Sequence, residues 1–85
     1  MPYIEKQDRK QFQDIVNKIP CFVSPGELNY VLTLICQNYV KDLGGEGYQI
    51  YNDIVGVLEC CKLELYRRKI ALYEEKKKKK NGDVY

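Results

Sequence analysis

The sequence contains no histidine and no tryptophan, and the first of these absences removes much enzyme chemistry. Without histidine the chain lacks the commonest general base and the commonest metal ligand. A cysteine nucleophile would have only lysines and carboxylates to activate it. No CxxC pair is present, and the "GGEG" stretch lacks the lysine that follows in a phosphate-binding loop. We therefore expect a non-enzymatic protein with no bound metal and no cofactor.

Long hydrophobic runs are also missing. No stretch approaches the roughly 18 continuous apolar residues of a membrane span, and the opening "MPYIEKQDRK" has no signal-peptide core. These features predict a cytoplasmic protein with no membrane partner, in the host cell cytoplasm if a phage encodes it. In that reducing compartment the four cysteines would be thiols, and we expect them to be small buried hydrophobes: Cys21, Cys36, Cys60 and Cys61.

The chain is short and its positive charge is unevenly placed. Its 85 residues predict a single domain, 1–85, with a thin core. The net charge is +2, and five lysines lie together at Lys76–Lys80, so the remainder carries 2 − 5 = −3. A mildly acidic body argues against a nucleic-acid-binding domain. Binding of DNA or RNA through the lysine tail remains an alternative function.

The apolar periodicity predicts an all-α fold of three helices, at about 8–19, 25–43 and 48–80, with a tail at 81–85. In the first helix, Asp8 is the expected N-cap and Gln11 its capping-box partner, and Pro20 ends the helix. A buried stripe is expected at Phe12, Ile15, Val16 and Ile19.

The second helix has the clearest boundaries in the sequence. Ser24 is a good N-cap, Pro25 suits the first helical position and Glu27 completes a capping box. Gly44 and Gly45 are expected to end the helix. The inward stripe would be Leu28, Val31, Leu32, Ile35 and Tyr39.

The third helix carries apolar residues on two sides. At about 100° per residue, one stripe holds Ile54, Leu58, Cys61, Leu65 and Leu72. The opposite side holds Asn52, Gly56, Glu59, Leu63, Arg67 and Ile70, flanked by Val55, Tyr66 and Tyr73. Two shorter helices cannot cover the whole of this longer one. We therefore predict a homo-oligomer, and Gly56 indicates either close packing or simple tolerance of glycine.

A ligand site is predicted where polar groups interrupt these half-apolar surfaces. Arginines favour phosphate and carboxylate ligands, tyrosines can stack on a base, and a helix start can receive an anion. The candidate residues for a nucleotide-like ligand at an oligomer interface are Asn29, Thr33, Tyr48, Gln49, Asn52, Asp53, Glu59, Arg67 and Arg68.

A plainer interpretation is that these charges only solvate the helix. Glu59 would then pair with Lys62, and Glu64 with Arg67 or Arg68. A third alternative, a metal-dependent nucleotide hydrolase that uses Glu59, Glu64 and Asp53, fits poorly because the paired acidic motifs of such enzymes are missing.

Three segments, "SPGELNYVLT", "YQIYNDIVGVLECCKLELYRR" and "NGDVY", carry a resemblance to known proteins. Over residues 24–85 the chain resembles a family of small bacterial and phage proteins of unknown function. This resemblance implies a bacterial or phage setting. Small phage proteins without catalytic residues often act as inhibitors, so it suggests a counter-defence factor that sequesters a nucleotide-like signal or binds a host defence protein.

Overall fold

In the computed structural model, residues 3–85 are described and all their regular elements are helical. A 3₁₀ turn at Lys6–Asp8 precedes helices α1 (Lys10–Asn17), α2 (Pro25–Asp42) and α3 (Tyr48–Leu65). A π-helical turn at Tyr66–Ile70 joins α3 directly to α4 (Ala71–Asn81). The all-α prediction of three helices is therefore confirmed, with a last helix of 34 residues, Tyr48 to Asn81.

The chain divides into two units, Met1–Ile50 and Tyr51–Tyr85. The first unit contains α1, α2 and the opening turn of α3. Within it, α1 packs on the 3₁₀ turn before it and makes no contact with α2 among the residues that the structure describes. The second unit is one continuous helix followed by a short tail, so it has no second element of its own against which to pack.

Helix α1 is shorter than predicted at both ends. Asp8 lies inside the 3₁₀ turn, where its amide donates to the Glu5 carbonyl at 2.9 Å, so the predicted capping role of Asp8 is wrong. Arg9 takes the N-cap position without a side-chain cap, and its Nε donates to the Ile4 carbonyl at 2.9 Å. At the other end, the amide of Lys18 bonds to the Ile15 carbonyl, which tightens the last turn before Pro20.

Helix α2 begins at Pro25 as predicted and ends at Asp42, one residue before the predicted end. Ser24 Oγ accepts from the Glu27 amide at 3.2 Å, while Glu27 Oε2 accepts from the Val23 amide at 3.1 Å. Gly44 and Gly45 have φ angles of 99° and 110°, which side chains disfavour. Their amides donate to Lys41 and Val40 carbonyls at 3.2 and 2.9 Å, the bond pattern of a Schellman cap.

The π turn changes which residues share a side of the third helix. A π turn bonds each amide five residues back, so it holds one more residue than an α turn and rotates the later residues by about 100°. The hydrogen bond from the Tyr66 hydroxyl to Glu74 Oε2, at 3.3 Å, fits this rotation because it aligns two residues eight apart. The predicted placement of Ile70, Leu72 and Tyr73 on the helix is therefore wrong.

With this rotation included, eight apolar side chains lie within about 120° of one another around the helix. We call this set the apolar face: Tyr51, Ile54, Val55, Leu58, Leu65, Tyr66, Ile70 and Tyr73. Ile70 joins it from the opposite side, whereas Leu72 leaves the predicted stripe. The two stripes expected from the sequence thus become one broad face, with Leu63 left on the other side.

No side chain among residues 3–85 is buried. The predicted inward stripes of all three helices are exposed, or at most half-buried as at Ile19, Val31 and Ile54. The burial predicted for the cysteines is also wrong, because Cys36 is half-buried and the other three thiols are exposed. Periodicity creates an apolar side on each helix, but neither unit provides a surface that covers it.

Within the described residues, no helix is long and apolar enough to cross a membrane.

Candidate functional site

The structure distributes the nine candidate residues over the two units. Asn29, Thr33, Tyr48 and Gln49 belong to the first unit, and Asn52, Asp53, Glu59, Arg67 and Arg68 belong to the second. On α2, the Thr33 hydroxyl donates to the Asn29 carbonyl at 2.9 Å. This hydroxyl therefore bonds its own helix backbone, as helical threonines commonly do.

In the second unit, three of the candidates share one side of the helix. Asn52, Glu59 and Arg67 lie there together with Leu63, beside one edge of the apolar face. We call these four residues the polar strip. From Asn52 to Arg67 the strip is about 22 Å long at 1.5 Å per residue. It is a ridge on one convex helix, whereas small-molecule sites are concave and surround most of their ligand.

Gly56 lies among the residues of the polar strip. A methyl group built there would meet no atom within 4 Å. Gly56 therefore makes no close packing contact within this chain. Because glycine has no side chain, the surface of the strip is recessed at this position. Glycine in a helix interior costs about 1 kcal/mol of stability relative to alanine. No atom of this chain lies close enough to Gly56 to require glycine there.

Glu64 holds both candidate arginines on the helix surface. Arg67 donates to Glu64 Oε2 at 2.9 Å, and Arg68 Nε lies 3.7 Å from Glu64 Oε1. The hydrogen bond from Arg67 lowers the pKa of the Glu64 carboxyl, and the positive charges of Arg67 and Arg68 add to the effect. Together with the 3.0 Å pair between Lys62 and Glu59, these contacts confirm the predicted surface ion pairs.

A second polar contact spans the π turn. The Tyr66 hydroxyl donates to both oxygens of Glu74, at 3.3 and 3.5 Å. The negative charge of Glu74 raises the pKa of Tyr66, and the hydrogen bond has the same effect. The contact fixes a tyrosine of the apolar face against an acidic residue on the same side of the helix. The prediction from the sequence missed it, because even spacing at 100° per residue separates these two positions.

The lysine tail forms part of α4. All five lysines are exposed, and Lys78 lies 3.7 Å from a Glu75 oxygen and 3.6 Å from an Asp83 oxygen. The Lys77 ammonium lies 5.5 Å from the centre of the Tyr73 ring, within the range of a cation–π interaction. Five consecutive helical residues point in all directions around the axis, so the lysines do not form a single basic surface.

The described part of the chain offers little for a metal ion. No three His, Cys, Asp or Glu side chains among residues 3–85 are grouped so that they could hold one.

Three shallow hollows on the surfaces of the units are lined by residues around Phe12, around Ile35 and around Asn81. None of these three hollows contains any of the nine candidate residues.

Comparison with known proteins gives a family and nothing beyond it. No curated protein and no solved structure matches the chain significantly. One family model, described as a domain of unknown function (DUF6899), matches residues 1–84. Because this match spans nearly the whole sequence, the chain belongs to the DUF6899 family of domains of unknown function.

Proposed function

We propose that the protein is a non-enzymatic binding protein whose polar strip docks on a partner protein. The observation that carries this proposal is the arrangement of Asn52, Glu59, Leu63 and Arg67 as one exposed ridge, with room beside Gly56 for a partner's surface. Leu63, between Glu59 and Arg67 on this ridge, is 56% exposed. An apolar group flanked by hydrogen-bonding and charged groups has the composition of a protein interface.

A protein fits this ridge better than a nucleotide-like signal molecule does. A convex strip about 22 Å long does not enclose a small molecule, whereas a protein partner can itself supply the complementary concave surface. Arg67 is also positioned by Glu64 at 2.9 Å, so a phosphate group would have to compete with a carboxylate already in place. The geometry thus favours the protein-binding alternative of the two predicted from the sequence.

The bacterial or phage setting implied by the sequence resemblance narrows the kind of partner. A small phage protein that binds another protein through an exposed helix can act as an inhibitor by covering a surface that its target needs. We therefore propose a host defence protein as the target and counter-defence as the biological role.

The alternatives have less support from the geometry. Binding of nucleic acid through Lys76–Lys80 is favoured by their exposure, but the lysines surround α4 and Lys78 already contacts two carboxylates. A metal-dependent hydrolase would need Asp53, Glu59 and Glu64 grouped together. Among the residues described, Glu59 is instead paired with Lys62 and Glu64 with the two arginines.

The experiment compares the natural chain with the double variant Asn52→Ala/Arg67→Glu in bacteria that carry phage-defence systems. We expect the natural chain to restore plating of a restricted phage on at least one strain of the panel. The double variant should lose this effect while keeping its helix content by circular dichroism. Lys79→Glu is the matched control, since it reverses a charge on the same helix away from the strip, and it should behave like the natural chain.

Two results would contradict the proposal. One is rescue by the double variant at the level of the natural chain. The other is an adduct of a few hundred daltons in native mass spectra of the protein purified from those cells, which would identify a small-molecule ligand instead of a protein partner.

A further inference from the structure

The apolar face of the second unit has no cover within that unit. Leu58, Leu65 and Tyr73 are 44%, 55% and 59% exposed, although they lie on the same side of the helix. Helices in proteins are stabilised mainly by packing of such a face against another element, and a unit that is a single helix has no such element. Stabilisation of this helix by packing therefore requires a surface from outside the unit to cover the apolar face.

We propose that a second copy of this chain covers the apolar face, with the two second-unit helices antiparallel and crossing near Tyr66. With the crossing near Tyr66, the apolar side chains from Leu58 to Tyr73 of the two copies meet around the crossing point. Tyr51, Ile54 and Val55 lie beside residues 77–81 of the other copy, where the methylene groups of lysine side chains can cover apolar surface.

The charge along the helix selects the antiparallel orientation. Residues 51–65 contain three acidic side chains and one lysine, for a net charge of −2. Residues 66–81 contain two arginines, six lysines and two glutamates, for a net charge of +6. An antiparallel pair places each acidic half beside a basic half, whereas a parallel pair would place +6 beside +6.

Two charged residues on the apolar face itself indicate the same orientation. Lys62 and Glu74 lie at the angular position of the apolar side chains, one before and one after the crossing point. In an antiparallel pair that crosses near Tyr66, Lys62 of one copy lies within one helical turn of Glu74 of the other. In a parallel pair these residues would be about 18 Å apart along the axis. Twofold symmetry would give two such ion pairs per dimer.

This inference does not rest on the proposed function. The polar strip and the apolar face share no residue, although Glu59 of the strip lies only about 20° around the helix from Tyr66 of the face. Variants on the apolar face change self-association, and the strip variants change phage plating. Failure of either proposal can therefore be recognised without the other.

The experiment measures dimerisation by sedimentation equilibrium for the natural chain, Lys62→Glu, Glu74→Lys and the double reversal. Each single reversal creates two like-charge pairs per dimer, and we expect the dimer dissociation constant to rise by about tenfold or more. The double reversal restores opposite charges and should recover the natural value to within about threefold. Glu75→Lys, the same change one residue away and off the face, should have a much smaller effect.

Three outcomes would overturn the proposal. The natural chain could sediment as a monomer at all concentrations up to the millimolar range. The double reversal could dimerise no better than the single variants, which would show that Lys62 and Glu74 do not meet across the interface. Alternatively, Glu75→Lys could weaken the dimer as much as Glu74→Lys does, which would show a general charge effect. Circular dichroism of each variant keeps loss of helix distinct from loss of association.

Discussion

At the scale of single residues, the most informative contact is the one between Glu64 and its two arginines. One carboxylate accepts from Arg67 at 2.9 Å and lies 3.7 Å from Arg68. The sequence could predict these pairs, because residues three and four apart are neighbours on any helix. It could not predict that the next turn is π-helical, since nothing in the spacing of "ELYRRKI" breaks the α-helical pattern.

The lowered pKa of Glu64 has a definite sign for stability. A carboxyl whose pKa is lower in the folded chain stabilises the fold fully above its unfolded pKa. This stabilisation is lost as the pH falls through the lowered folded pKa, because protonation of Glu64 releases the guanidinium of Arg67. Surface ion pairs contribute modestly and are screened by salt, so the effect should be seen in the titration of Glu64 itself.

We expect Arg67→Gln to raise the pKa of Glu64 towards its ordinary value, because the hydrogen bond from Arg67 is the largest cause of the shift. Arg68→Gln should raise it less, since Arg68 lies farther from the carboxylate. The measurement is an NMR titration of the glutamate side-chain carbons. Lys62→Gln is the control, because Lys62 pairs with Glu59. A Glu64 pKa unchanged by Arg67→Gln would contradict the assigned cause.

At the scale of elements, local signals predicted some boundaries and failed at others. Ser24 and the pair Gly44–Gly45 were predicted correctly because a cap depends only on residues within one turn of it. The predicted N-cap at Asp8 was wrong because Asp8 forms part of a 3₁₀ turn that has its own backbone hydrogen bonds. The predicted positions of Ile70 and Tyr73 around the helix were wrong for a different reason. A π turn changes the register of every residue after it, so an error at one turn displaces all later residues.

The extra residue of the π turn predicts opposite effects for two one-residue changes of length. Deleting Lys69 from the turn should convert it to ordinary α-helix and leave the residues after it in the same rotational position. Inserting one alanine between Cys60 and Cys61 should rotate the two halves of the apolar face by about 100° relative to each other. We therefore expect the deletion to retain self-association and the insertion to lose it, with helix content similar in both. Equal effects of the two changes in sedimentation experiments would contradict the assigned register.

At the scale of the whole molecule, the apolar pattern predicted the all-α class but not where the apolar sides go. Periodicity shows that a helix has a side to bury, and it does not identify the surface that buries it. The predicted core residues Leu28, Leu32, Leu58 and Leu65 are all exposed in the single chain. The proposed dimer would supply a surface for the exposed apolar side chains of this short chain. The same limit applies to the candidate site, because the sequence of this chain does not describe the surface of a binding partner.

The decisive test of whether another chain completes the fold is urea unfolding at protein concentrations that span a hundredfold range, followed by circular dichroism. If association completes the fold, the midpoint must rise with protein concentration, because assembly stabilises the native state by mass action. A cooperative transition whose midpoint stays constant over the whole range would contradict this dependence, since it would show that one chain buries enough of its own surface to be stable alone.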